Sequence, residues 1–197
     1  MPNLYKAFGG WSSIVSGSLL FIAHFINLFG ESEEGTLFGS SLVFAAHVIL
    51  IFALLGIYFE LAQGTKILGL LGMVLSVIGT TIVSGIVLVE MGGFSGFNTD
   101  LVFKAPVVET VCIIGPLLFV IGMLMIGYYI IRFNKLPKTC GFLFIIGTIV
   151  FASASLIGSE KLVIEAIGGA ITGLGFIGSG LNMIQVNNVN KSTELNL

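Results

Sequence analysis

Six long apolar runs, at about residues 11–29, 40–62, 67–90, 107–132, 139–157 and 162–185, constrain this chain more than any motif in it. Each is near the roughly 20 residues that an α-helix needs to cross the hydrocarbon core of a bilayer. Inside hydrocarbon the backbone must satisfy its own polar groups, and a helix does so within a single segment. The expected fold is therefore all-α: a polytopic membrane protein, with a six-transmembrane-helix bundle over residues 1–185 and a disordered, Asn-rich tail over 186–197. Composition agrees, with 56% hydrophobic and 9% charged residues, against roughly 25% charged in soluble domains. The lipid bilayer is the main partner expected.

The first run follows Tyr5 and Lys6 and opens at Trp11. It is long enough to span, and its exit at Asn27-Leu28-Phe29-Gly30-Glu31 carries no small-x-small cleavage site, so it reads as an uncleaved first helix. Basic residues set the orientation. Lys6, Lys66, Arg132, Lys135, Lys138 and Lys191 fall on the side of the termini, and only Lys104 and Lys161 on the other. The positive-inside rule then puts both termini in the cytoplasm. The acids are skewed the opposite way, with Glu31, Glu33, Glu34, Glu90, Asp100, Glu109, Glu160 and Glu165 on the outer face or at its boundary. A net charge of -2 with scattered bases leaves no electrostatic footprint for a nucleic-acid partner.

Connections differ in character. The turns at Gln63-Gly64-Thr65-Lys66 and Asn134-Lys135-Leu136-Pro137-Lys138 are short and punctuated, as between antiparallel neighbours. The segment from Met91 to Pro106 is longer, glycine-rich and dotted with phenylalanine, a candidate lid over the bundle. Small residues recur at every fourth position in Gly72, Ser76, Thr80 and Ser84, in Gly9, Ser13 and Gly17, and in Gly169 and Gly173. Such stripes let helix backbones approach closely, within one chain or between a homo-oligomer's copies or another membrane subunit. The two cysteines, Cys112 and Cys140, fall near opposite ends of successive spans, too far apart in depth to be bridged.

The only histidines, His24 and His47, flank the acidic turn Gly30-Glu31-Ser32-Glu33-Glu34-Gly35. Counted from the span ends, His24 is about five residues and His47 about seven residues deep, which at 1.5 Å per residue sets both roughly 7 to 11 Å below the outer boundary. Glu90 and Glu109 are expected near the same level in neighbouring spans. Two imidazoles at one depth in a phenylalanine-rich region suit axial ligation of haem b, with Phe21, Phe25 and Phe44 around the porphyrin, joined by Phe29 and Phe38. That gives an integral membrane protein like a b-type cytochrome, passing electrons near the outer face. Alternatively, His24, His47, Glu90 and Glu109 suit a zinc, copper or iron ion. A third reading needs no cofactor: each histidine hydrogen-bonds across helices, to Asn27 or Ser40, and only locks packing. The protein is then a non-redox bundle, an accessory subunit or a small-molecule binder or transporter.

Other motifs carry less. Gly93-Phe94-Ser95-Gly96 has the outline of a serine nucleophile, but its serine lies in a loop and the histidines sit on the first two helices. Pro116 within the fourth span is expected to kink it and free a carbonyl toward the interior, where it would shape a cavity. The general plan, with Leu136-Pro137 ahead of Gly141-Phe142-Leu143, resembles that of small prokaryotic membrane proteins, which implies a prokaryotic plasma membrane.

Overall fold

The computed structural model describes residues 2–30, 35–61, 66–157 and 160–194. The acidic residues Glu31, Glu33 and Glu34 and most of the first short turn, Gln63 to Thr65, lie outside the described residues. Seven helices follow in order: α1 (Pro2–Asn27), α2 (Leu37–Leu61), α3 (Lys66–Gly93), a one-turn α4 (Asp100–Phe103), α5 (Pro106–Phe133), α6 (Lys138–Ser153) and α7 (Lys161–Glu194), with a 3-10 turn at Ala154–Leu156 after α6. All but α4 hold stretches long and apolar enough to cross a membrane. The chain is an integral membrane bundle of six spanning helices.

Three boundaries differ from the sequence reading by four residues or more. The α1 helix begins before Trp11, because Leu4, Tyr5 and Phe8 extend its apolar surface. The α6 helix tightens into the 3-10 turn from Ala154, short of Ile157. The last helix continues past Gln185 to Glu194.

The packing order is a ring: α1 on α2, α2 on α3, α3 on α5, α5 on α6, α6 on α7, and α7 back on α1. Small residues set it. Gly9 abuts Gly56 across α1 and α2, and Gly173 faces the Gly17 carbonyl across α7 and α1. Gly122 meets Ser76 across α5 and α3, and Gly127 meets Gly141 across α5 and α6. The small-residue stripes thus bring helices of the same chain together. Ser13, Thr81, Ser84 and Ser179 return their hydroxyls to the carbonyl four residues earlier at 2.7–2.9 Å, so these polar groups cost the interior little.

The half of the ring nearest the two termini is solid. Leu54, Ile57, Leu61, Met123, Ile126, Tyr129, Ile130, Phe144, Phe176 and Met183 form one buried cluster there. Phe144 and Phe176 pack at 4.6 Å between centroids. The Tyr129 hydroxyl donates to the Leu61 carbonyl at 3.2 Å, satisfying an acceptor at the open end of α2. Lys6 pairs with Glu60 at 2.8 Å along the α1–α2 seam. Asn134, at φ 55°, turns the chain out of α5 with its N–H on the Ile130 carbonyl. The opposite, far half is built differently.

Candidate functional site

In the far half, all six spanning helices surround a cavity of about 440 Å³. A smaller pocket of about 190 Å³ lies at its far end. The two share His24, His47, Val83, Pro116, Phe151 and Glu165 in their walls. Helical spacing puts Thr148 and Phe151 on one face of α6, and Gly169 and Thr172 on one face of α7. All four face the cavity.

His24 is buried against α7 and α6. Gly169 leaves room for its ring, since a Cβ there would lie 2.6 Å from the imidazole Cδ2. Phe151 meets that ring edge-on at 5.1 Å. Both ring nitrogens of His24 lack a hydrogen-bond partner among the described residues, as do the buried hydroxyls of Thr148 and Thr172. His47 is tied down instead. Its Nδ1 lies 2.7 Å from the Thr80 hydroxyl, which also reaches the His47 carbonyl at 3.4 Å, and Phe119 packs edge-on at 5.9 Å.

The expected pairing of the histidines at one depth is corrected by the helix register. Gly9 against Gly56 and Asn27 against Gly39 place the His24 backbone opposite Ser41 and Leu42, about five residues, or roughly 8 Å, shallower than that of His47, while both rings reach the walls of the same two pockets. The α1 and α2 backbones remain in close contact at both ends, so no porphyrin-sized gap opens between them. The aromatic cradle is not assembled either. Phe21 and Phe25 are 44% and 54% exposed on the outside of the bundle, Phe29 and Phe38 more so, and Phe44 packs against the small cluster of Ala23, Val43 and Val87. The rings that meet the histidines are Phe119 and Phe151. No axial pair fitting haem b is formed.

The carboxylates divide. Glu90 lines the far pocket with the histidines, whereas Glu109 is exposed near the start of α5 and lines neither. Glu165, expected on a solvated rim, turns into the wall with its side chain only 18% exposed, 4.0 Å from Lys161. Among the described residues no group of three or more His, Cys, Asp and Glu is placed to hold a metal ion. The Asn27 amide oxygen accepts from the Thr36 N–H at 3.0 Å and faces its hydroxyl at 3.2 Å, closing the α1–α2 connection rather than serving a histidine. The partner of His47 is Thr80.

The segment expected as a lid lies elsewhere. The α4 turn packs on α5, and no residue from 92 to 105 lines either pocket. Ser95 is exposed in that loop. Pro116 does stand in the cavity wall, where its missing N–H leaves the Cys112 carbonyl without its usual donor. Cys112 and Cys140 are both free.

Thr148, Thr172, Phe119 and Phe151 escaped the sequence reading. The only signal was that Thr148 and Thr172 interrupt otherwise apolar or glycine-rich runs. Nothing in the sequence says that both line one cavity, from α6 and from α7.

These features define a class: an integral six-helix bundle with an apolar cavity that contains unpartnered polar groups. The chain matches no protein-family model, no curated protein and no solved structure.

Proposed function

We propose that the protein is a membrane-embedded binder or carrier of a small molecule, and that the cavity around His24 is its binding site. One observation carries this reading. An imidazole and two hydroxyls are buried without hydrogen-bond partners among the described residues, in a wall that is otherwise almost wholly apolar. Each such group costs about 1–3 kcal/mol, a cost that Ser13, Ser84 and Ser179 avoid by returning their hydroxyls to their own helix backbone. Polar groups held unsatisfied inside a membrane are characteristic of ligand sites. A few placed polar groups in a concave apolar wall of this size are also the usual makeup of such a site.

The haem and metal readings have less support, because the histidine backbones differ in depth, Phe21 and Phe25 face outward, Phe44 packs in a separate cluster and Glu109 lies away from the histidines. A visible spectrum of the purified, haem-supplemented protein checks this: no Soret band is expected. The excess of basic residues on the side of the termini supports a cytoplasmic position for the solid half. In that orientation the cavity opens in the outer leaflet, and Ser95→Cys reacts with an impermeant maleimide only from outside the cell.

The binding test uses the full chain in phosphatidylcholine nanodiscs and N-phenyl-1-naphthylamine, a neutral fluorescent probe. Saturable binding is expected, lost when Val120→Trp fills the cavity. Equal, unsaturable partitioning into wild-type and Val120→Trp nanodiscs would remove the proposal.

A further inference from the structure

We infer that the cavity is loaded sideways from the lipid phase, through the seam between α5 and α6, by an uncharged lipophile with one small hydroxyl or carbonyl head group, which Thr148, Thr172 and His24 recognise. This rests on the small-molecule reading above and names its ligand class and its route.

The seam is closed at one end only. In the solid half, Gly127 and Gly141 bring α5 and α6 together, and a Cβ on Gly141 would stand 2.7 Å from the Gly127 carbonyl oxygen. In the far half each helix turns to its other neighbour. Gly79 of α3 admits Phe119 of α5, and Gly115 of α5 receives Ile82 of α3. Gly168 of α7 admits Phe151, and Gly147 of α6 lies against Thr172, with a Cβ 2.5 Å from its hydroxyl oxygen. Thus α5 is drawn onto α3 and α6 onto α7, and the two diverge.

The divergence has a mouth. Ile113 and Leu117 of α5 line the cavity yet are 66% and 53% exposed, and Ser155, just past α6, is likewise both lining and exposed. Ile113 and Leu117 lie about 10 and 16 Å along α5 from Pro106, at 1.5 Å per residue. That depth is within the hydrocarbon rather than at the water interface. A polar solute would have to cross acyl chains to reach the mouth. A lipophile is already dissolved beside it.

The head group follows from the wall. Thr148 and Thr172 can each donate and accept one hydrogen bond or more, and a neutral imidazole does both. No fixed charge stands beside the two hydroxyls to balance an ionic head. Glu165, which lines both pockets two helical turns from Thr172, is paired with Lys161 at 4.0 Å and so is not free to balance a charged head. An uncompensated charge in this apolar pocket would be costly, whereas a hydroxyl or carbonyl would satisfy what is now unpartnered.

The test is photolabelling of the full chain in phosphatidylcholine nanodiscs with a diazirine-bearing octanol, with a diazirine-bearing octane as its headless counterpart. Labelled residues are mapped by peptide mass spectrometry. The octanol is expected to label the wall around Phe151 saturably and the octane not, while both label Leu88 on the outer surface without saturation. In Leu117→Trp, cavity labelling should fall at least about tenfold with Leu88 labelling unchanged, which also reports that the bundle is intact. The pair Thr148→Val and Thr172→Val should weaken saturable labelling about tenfold, as loss of two hydrogen bonds requires. Undiminished cavity labelling in Leu117→Trp overturns the seam. Equal labelling by octane and octanol overturns the head group. Absence of cavity labelling, where the naphthylamine still binds saturably, overturns the lipophile while the binding reading stands; failure of the naphthylamine as well removes that reading.

Discussion

The solid half and the far half of this bundle are made by the same six helices from similarly apolar sequence, yet one is filled and the other encloses a cavity. In the solid half, facing positions pair glycine with glycine or interlock large rings, as at Gly9 with Gly56, Gly127 with Gly141 and Phe144 with Phe176. In the far half, Gly79 and Gly168 press against the backbones of Phe119 and Phe151, so that α5 leans onto α3 and α6 onto α7, while the two rings stand in the cavity wall against the histidines. The centre is left to Val83, Thr148, Gly169 and Thr172. Hydrophobicity does not separate the two, since lipid is as apolar as either. What separates them is which neighbour each helix backbone leans on.

The contrast can be broken from the solid side first. Phe144→Ala removes a fully buried ring and should cost about 3–5 kcal/mol, measured as reversible unfolding of the detergent-solubilised protein in SDS. A loss under about 1 kcal/mol would mean that this half is not tightly filled. Gly141→Ala comes next. Its new methyl would meet the Gly127 carbonyl and Ile131, for an expected cost of about 1–3 kcal/mol and a lowered melting temperature.

The two remaining predictions set one substitution against itself. At Thr80→Val, His47 Nδ1 loses its partner, and the unpaired imidazole should cost about 1–2 kcal/mol. At Thr148→Val, the hydroxyl removed has no partner among the described residues, so stability should rise or stay within about 0.5 kcal/mol of wild type. Thermal melts of the two variants, side by side in one detergent, check the difference in sign. If Thr148→Val is as harmful as Thr80→Val, its hydroxyl is satisfied and the wall is less polar in effect than its geometry implies. Ser76 offers a control in the tight α3–α5 seam, where an equally unpartnered hydroxyl lies against Gly122 with no space beside it.

Much of the ring was legible in the sequence and little of the site. The six spans and the close-packing role of the glycine and serine stripes follow from periodicities within single helices. Counting residues from span ends failed for the histidines, because depth is set by the register between helices. Gly9 on Gly56 and the Asn27 to Thr36 closure fix that register, and neither is a property of one helix. Phe21, Phe25, Phe29 and Phe38 point outward and Phe44 packs in a separate cluster, because adjacency along a helix does not select a face. Glu165 read as an outer rim residue and Thr148 carried no reading, though both stand in the cavity wall.

What the sequence determined by itself is the class of solvent and the class of structure. Uninterrupted apolar runs of this length can satisfy their backbone only as helices in lipid, and small residues every fourth position oblige those helices to touch. What only the tertiary structure decided is where they fail to touch. The leaning of α5 onto α3 and of α6 onto α7 opens a space that no single run encodes, because a cavity is a property of six faces at once and each helix contributes only a few residues to it.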